Sequence, residues 1–257
     1  MRSWLLGMVV VVGCDRAALD ELGDAAVDSV DVPGAIDAGV CPVHMVAVAG
    51  AGVCIDAYEG ALEELASDGA YHPASPYQVV GNRIVRAVPA AGIPPQGYIS
   101  GVEAKRACEA AGKRLCSSTE WLAACRGSTN RMWPYGNAHV DGACNDHYAG
   151  HPVVNFFGTA MGVFDSVHMN NPGINQQPNS LAAGGQFAAC VSEAGAFDLH
   201  GNLHEWVADE AGTFRGGFYA DAKINGEGCT YRTTAHDFTY HDYSTGFRCC
   251  STLQTLR

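Results

Sequence analysis

Two segments in the middle of the chain combine a helix-capping signal with helical spacing of small and apolar residues. Residues 100–112 begin with a serine that is followed three positions later by Glu103, and they end at a glycine. Residues 117–127 repeat this design, with Glu120 as the corresponding acid and again a glycine at the end. The pattern therefore predicts two short amphipathic helices close together in sequence.

Outside these helices the hydrophobic pattern changes over short distances. Short apolar runs alternate with segments rich in Gly, Asn, Pro and His, which is typical of short strands joined by long loops. Residues 150–190 show no clear period and receive no assignment. The sequence indicates a loop-rich domain with few regular elements.

The first residues have the pattern of an export signal. Arg2 is followed by an almost unbroken apolar run from Leu5 to Val12, and then by Gly13 and Cys14. This order resembles the lipobox of bacterial lipoproteins, in which the cysteine is lipidated and becomes the first mature residue. The alternative is an ordinary buried helix that ends in a chance cysteine.

The lipobox interpretation divides the chain into three parts. Residues 1–14 would be a lipoprotein signal peptide, and residues 15–40 an acidic tether without aromatic residues. Residues 41–257 would be the folded domain. We expect a location in the bacterial cell envelope, anchored by lipid at Cys14, with the choice of inner or outer membrane open.

Charge limits the possible partners. The 257 residues include 15 Lys and Arg against 27 Asp and Glu, a net charge of −12. Such a surface repels nucleic acid and anionic lipid, so general DNA or RNA binding is excluded. No apolar run reaches the roughly 18 residues that span a bilayer. Contact with the membrane is therefore expected through the lipid anchor only.

Cysteine usage also points to export. Lipidation of one of the 11 cysteines leaves ten, and an even number in an exported chain suggests disulfides. A zinc site is the alternative, but the sequence lacks the C-x-x-C spacing typical of one. Spacing alone leaves the pairing open.

Six motifs in order resemble those of the formylglycine-generating enzyme, or sulfatase-modifying factor, family. They are Cys54–Glu59, residues 112–127, Trp133–Asn137, Gly195–Trp206, Arg215–Gly217 and Gly246–Cys249. The resemblance covers residues 41–257. It implies an α+β fold, an elaborated C-type-lectin-like domain with little regular secondary structure and several disulfides.

The resemblance implies a calcium ion in the loop of the Gly195–Trp206 motif. Asp198 and Glu205 would supply side-chain oxygens, and Gly201 and Leu203 backbone carbonyls, which suits a cation that takes six to eight oxygen ligands. The alternative is a turn whose acidic residues only accept hydrogen bonds from local amides. Asn145 matches a tentative second calcium site.

The resemblance also implies two disulfides, Cys108 with Cys249 and Cys125 with Cys229. For the remaining six cysteines, elimination suggests the pairs Cys41 with Cys54, Cys116 with Cys250, and Cys144 with Cys190.

The chain departs from the family where the reactive chemistry lies. Formylglycine-generating enzymes carry two copper-binding cysteines shortly before the position that matches Cys229. The corresponding residues 218–228 contain no cysteine, and the matching positions are Tyr219 and Ile224. Because Cu(I) needs soft thiolate ligands, copper is not supported. A shifted alignment would leave Cys229 as a weak catalytic candidate without its partner.

Histidines give little support for another metal. The iron-dependent sulfoxide synthases of the family hold their iron largely in a separate helical domain that this chain lacks. His200 and His204 flank a turn, so both rings need not face one ion. His236 and His241 lie in a stretch predicted as strand and loop. Iron is therefore not supported, and each is interpreted as a hydrogen-bonded or exposed loop histidine.

These observations leave three functional hypotheses. The first is a calcium-stabilised envelope lipoprotein that binds an unknown envelope protein, peptide or glycan. The second is a metal-dependent oxidoreductase of the same family with relocated ligands. The third is an accessory subunit that masks or presents a partner. The cysteine-free span 218–228 favours the first over the second.

Overall fold

The computed structural model describes residues 40–254. The predicted signal peptide with Cys14, residues 15–39 of the predicted tether and residues 255–257 lie outside this range. The described part contains four helices: α1 (Gly101–Ala110), α2 (Ser118–Arg126), α3 (Pro152–Phe157) and α4 (Ser166–Met169). Its eleven strands are β1 (Met45–Val48), β2 (Val53–Asp56), β3 (Gly60–Leu65), β4 (Tyr71–Pro73), β5 (Val85–Pro89), β6 (Arg114–Leu115), β7 (His204–Trp206), β8 (Phe214–Arg215), β9 (Arg232–Thr233), β10 (Thr245–Phe247) and β11 (Cys249–Thr252).

The strands form three small sheets. The first has the order β1-β2-β11-β6 with antiparallel neighbours. The second has the order β10-β7-β8-β9, in which β10 and β7 are parallel and the other pairs antiparallel. The third is the antiparallel set β4-β3-β5. The first sheet therefore joins the start of the domain to its last strand.

Both predicted helices are confirmed. Ser100 caps α1 and Ser117 caps α2, and in each case the acid three residues later accepts a hydrogen bond from the cap's own backbone amide. Helix α1 packs against β5 and its apolar core, and α2 buries Trp121 against a second core group. Helix α1 thus packs mainly on the third sheet through β5, and α2 packs on the first sheet, which contains the C-terminal strand.

The unassigned stretch 150–190 contains only short elements. These are α3, α4 and a 3₁₀ turn over Ile174–Gln176, all too short to show a helical period in sequence. Within residues 40–254, no helix combines the length and the apolar character needed to cross a membrane.

Five disulfides join the ten cysteines of the domain. The pairs are Cys41 with Cys54, Cys108 with Cys249, Cys116 with Cys250, Cys125 with Cys229, and Cys144 with Cys190. They are the pairs that the resemblance and elimination gave. The architecture is the expected disulfide-rich α+β fold, in which the helices are bonded to the C-terminal part of the chain.

Candidate functional site

The Gly195–Trp206 motif forms a buried loop that leads into β7. Asp198, Gly201 and Asn202 have positive φ angles of 60°, 77° and 54°, so the backbone turns sharply three times. A Cβ atom at Gly201 would lie 2.1 Å from the carbonyl oxygen of Asn145. Only glycine fits there, because the loop packs directly against the backbone of the segment around Asn145.

A buried ion pair closes the loop at its C-terminal end. Oε2 of Glu205 accepts hydrogen bonds from Nε of Arg248 and from Nε1 of Trp121, each at 2.7 Å. Oε1 accepts a third, at 2.8 Å, from Nη2 of Arg248. The guanidinium also donates to backbone carbonyls of Asp56 and Phe197. This pair therefore links α2, β7, β2 and the loop.

Two further carboxylates lie in the same buried region. Glu59 accepts a hydrogen bond from the backbone amide of Leu203 at 3.1 Å and another from the side chain of Asn202. Asp198 accepts one from the amide of Gly185 at 2.7 Å. Three nearly inaccessible carboxylates, those of Glu59, Asp198 and Glu205, thus surround one guanidinium.

The buried carboxylates outnumber the buried guanidinium, and the pKa values of Glu59 and Asp198 are raised. Burial raises the pKa of Glu59 well above its usual range, and the charges of Asp198 and Glu205 push it further in that direction. Burial also raises the pKa of Asp198 to about 6, although the Gly185 hydrogen bond and Arg248 oppose the shift. In this region a second positive charge would favour the ionised carboxylates.

Two backbone acceptors of the loop are open. Within residues 40–254, no loop amide and no side-chain donor is hydrogen-bonded to the carbonyl oxygen of Gly201 or of Leu203. The carboxylates of Asp198 and Glu205 add further oxygen atoms, of which both oxygens of Glu205 also accept hydrogen bonds from Arg248 or Trp121. A set of oxygen atoms suits a hard cation such as Ca²⁺, and the calcium site stays a prediction.

Asn145 links this loop to a neighbouring one. Its side-chain nitrogen donates to the backbone carbonyl of Ser180 at 2.8 Å and to Oδ1 of Asn202 at 2.9 Å. Its own carbonyl accepts from the amide of Asn202. The second calcium site at Asn145 stays a prediction, and these hydrogen bonds give the residue a structural role.

The family comparison agrees with this geometry. The model of the sulfatase-modifying factor enzyme 1-like domain matches residues 65–253. The chain belongs to the sulfatase-modifying factor family. No curated protein matches the sequence. The fold and the order of motifs described above are thus those of a sulfatase-modifying factor domain.

The weak catalytic candidate of this sulfatase-modifying factor domain has no free thiol. Cys229 is bonded to Cys125, and both residues are fully buried. A thiolate is the reactive and metal-binding form of cysteine, and a disulfide sulfur cannot provide it. The interpretation of Cys229 as a reactive thiol is therefore wrong for this structure.

The two positions that the resemblance matches to the family's reactive cysteines lie in contrasting surroundings. Tyr219 is fully buried, and its hydroxyl donates to Oδ1 of Asn175 at 2.8 Å. Ile224 is 82% exposed. One side chain is a core residue and the other faces solvent, so the two positions do not form a facing pair.

The four histidines singled out in the sequence have separate environments. His204 is enclosed by Phe214, Phe218 and Tyr231, and burial lowers its pKa to about 3. His200 instead contacts Asp146.

The other two histidines lie near the C-terminal strands. His236 stacks on Tyr240, and Nδ1 of His241 is 2.8 Å from Oδ1 of Asn170. Each of the four thus has its own partners.

Sequence reasoning missed two members of the buried acidic region. Glu59 and Arg248 both lie inside motifs that carried the resemblance, but neither received a role. Glu59 is 143 positions from Asn202, and Arg248 is 43 from Glu205. No local spacing reports such contacts. The available signal was their position next to motif residues in a family with a buried loop site.

Proposed function

We propose that the chain is a calcium-stabilised envelope lipoprotein that uses a sulfatase-modifying factor domain for binding or as an accessory subunit. It does not generate formylglycine. The observation that carries this proposal is the state of the cysteines. All ten in the domain are in disulfides, and residues 218–228 contain none. A Cu(I) site of the family type has no thiolate ligands here.

Calcium fits the buried loop for electrostatic reasons. Asp198, Glu205 and the carbonyls of Gly201 and Leu203 would hold the ion, and Glu59 would lie behind them. Three buried carboxylates against one guanidinium leave an excess of negative charge, and unpaired buried charge is costly. A divalent cation at this loop supplies the missing positive charge, so its role is to stabilise the loop.

The N-terminal sequence supports anchoring at the envelope. The apolar run from Leu5 to Val12 ends at a small residue followed by Cys14. Several acyl chains on one cysteine hold a protein at a membrane, and the acidic segment 15–40 would separate the domain from the lipid surface. The ligand would be an envelope protein, a peptide or a glycan.

The test is a thiol count combined with copper binding. The full chain carrying Cys14→Ser is alkylated without reduction, and its intact mass is measured. We expect no alkylated thiol, no binding of Cu(I), and no conversion of a cysteine peptide in the presence of copper and oxygen. Two alkylated cysteines together with peptide conversion would overturn the proposal and identify the active site by mapping.

A further inference from the structure

A second polar cluster lies beside the acidic loop and contains two histidines. Nε2 of His139 is 2.7 Å from Oδ2 of Asp146, and Nε2 of His200 is 3.2 Å from the same oxygen. Among the His, Cys, Asp and Glu side chains of residues 40–254, these three form the one trio whose ligand atoms all lie within 4.8 Å of one another. Two imidazoles and one carboxylate thus converge on one point.

The cluster is buried and incompletely satisfied. The His200 side chain is fully inaccessible, and that of Asp146 is 2% exposed. Within residues 40–254, Oδ1 of Asp146 and Nδ1 of His200 are buried without a hydrogen-bond partner. Because buried polar atoms are normally paired, each of these two side chains has an atom left over for a further ligand.

The buried carboxylate of Asp146 has a third imidazole beside it. Nδ1 of His147 lies 3.7 Å from its Oδ1. Carboxylate oxygen and imidazole nitrogen are both ligands of zinc and iron, so this carboxylate lies among donors that suit such an ion.

The spacing is close to that around a transition metal. Ligands about 2.0–2.1 Å from zinc lie about 2.8–3.4 Å apart when they subtend angles of about 90–109° at the metal. The distance of 3.2 Å lies within this range, and the distance of 2.7 Å needs only a small expansion. Imidazole nitrogen suits zinc and iron, whereas calcium prefers oxygen ligands only.

One histidine also has the support expected of a metal ligand. Nδ1 of His139 lies 3.3 Å from Oδ1 of Asp141, on the side of the ring opposite to Asp146. Metal-bound histidines almost always donate their second ring N–H to a carboxylate, a carbonyl or water, which fixes the ring and its tautomer. Asp141 can provide this contact.

The cluster borders a cavity through His139. This histidine lines a cavity of about 150 Å³ together with Trp133, Lys223, Glu227 and Gly228, whereas Asp146 and His200 are not among its lining residues. Three of the lining residues lie in the stretch 218–228, where the resemblance places the family's reactive cysteines. Water or another ligand would thus reach an ion held by the trio from the side of His139.

We propose that His139, Asp146 and His200 bind one divalent transition-metal ion of the zinc or iron class and leave a coordination position open toward this cavity. The site is separate in its ligands from the oxygen-only loop of Asp198 and Glu205. It goes beyond the proposed binding function. Three protein ligands with an open position are the arrangement of sites that bind exogenous ligands, whereas structural zinc sites are closed.

The experiment is a Zn²⁺ titration of the full chain after chelator treatment, in buffer with saturating Ca²⁺. The titration is followed by calorimetry. Ca²⁺ occupies the oxygen-only sites beforehand, so the heat released by Zn²⁺ reports binding to a nitrogen-containing site. A parallel titration with Co²⁺ gives an absorption spectrum that depends on the ligand geometry. We expect about one bound Zn²⁺ per chain. We also expect an absorption spectrum of bound Co²⁺ that disappears when Zn²⁺ replaces the Co²⁺ ion.

Two variants and one control decide the assignment. His139→Gln and Asp146→Asn should weaken Zn²⁺ binding by at least about tenfold. His72→Ala removes an exposed histidine that pairs with Asp68 at 2.8 Å, and it should bind like the unmodified chain.

Circular dichroism confirms folding, and His139 is partly exposed, so its variant is expected to fold. Absence of Zn²⁺ binding by the folded chain, or equal binding by His139→Gln, would overturn the proposal and leave a metal-free His–Asp–His network.

Discussion

Arg248 and the acids around it show how a buried residue depends on charge as well as on packing. Its side chain is fully inaccessible, and it spans from Glu205 to the backbone of Asp56. Removing one partner of such a pair leaves an uncompensated charge, so the whole group must be considered together. The residues proposed to bind calcium are therefore the informative ones to change.

We expect Asp198→Asn to lose most of the stabilisation by calcium. A ligand at about 100 times its dissociation constant stabilises the folded state by about 2.7 kcal/mol. Thermal unfolding with Ca²⁺ and with a chelator measures this difference. The unmodified chain should show the shift and Asp198→Asn a much smaller one.

Asp68→Asn changes an exposed acid far from the loop in sequence and is the matched control for the calcium experiment. It should retain the full shift. Equal shifts in Asp198→Asn and the unmodified chain would contradict a calcium role for this loop.

His204 gives a prediction about acid stability. Its pKa is about 3 in the folded state against 6.5 for an ordinary histidine, so below pH 6.5 the unfolded chain binds a proton that the folded one does not. Stability therefore falls as the pH drops from about 7 toward 3. Between pH 7 and pH 5 this histidine alone accounts for about 2 kcal/mol.

His204→Phe should remove this part of the pH dependence, because phenylalanine keeps the aromatic contacts and does not titrate. Urea unfolding at pH 7 and pH 5 measures it. His236→Phe is the matched control, because it makes the same change at a half-buried ring that also stacks on Phe214. This control should keep the pH dependence. Similar flattening in both variants, or none in His204→Phe, would show that His204 is not the group responsible.

At the scale of elements, the sequence predicted those helices whose ends are determined by contacts between residues a few positions apart. The serine caps of α1 and α2 are contacts between residues three positions apart, so the sequence contained them directly. Strands β6, β8 and β9 have two residues each and cannot show a period. The trio of His139, Asp146 and His200 was missed because the last two are 54 positions apart in the sequence.

The disulfides differ in how much of the chain they constrain. The bond between Cys125 and Cys229 closes 104 positions and the bond between Cys41 and Cys54 closes 13. The chain-entropy relation gives about 4.7 and about 2.9 kcal/mol for these loops. We therefore expect the double variant Cys125→Ala/Cys229→Ala to lose about 2 kcal/mol more than Cys41→Ala/Cys54→Ala.

Urea unfolding under non-reducing conditions measures both losses. The first pair also joins α2 to the 3₁₀ turn Gly228–Thr230, so its variant should expose more of the core near Trp121, which fluorescence follows. A larger loss in the Cys41 and Cys54 variant would show that native packing around these bonds outweighs loop closure.

At the scale of the whole molecule, the family assignment supplies the scaffold and not the activity. The chain belongs to the sulfatase-modifying factor family, and residues 218–228, where the resemblance places the family's reactive cysteines, contain no cysteine. A fold does not determine an activity, so the scaffold can serve binding. The proposed lipid anchor would then determine where the domain meets its ligand.

The lipid anchor gives the prediction at this scale. Expressed in a bacterium, the full chain should be cleaved before Cys14, carry acyl chains on it and fractionate with membranes. Cys14→Ser removes the acceptor sulfur and should leave the chain unprocessed or release it from the lipid-anchored fraction. Intact mass and detergent partitioning measure the two outcomes.

Cys41→Ser is the matched control for the anchor, because it changes another cysteine near the start of the domain and leaves the apolar run from Leu5 to Val12 intact. It should stay lipidated. If the unmodified chain kept its first residues and remained in the aqueous phase, the envelope assignment would be wrong. The domain would then meet its ligands without a membrane, and only the calcium and metal sites would remain as guides to its role.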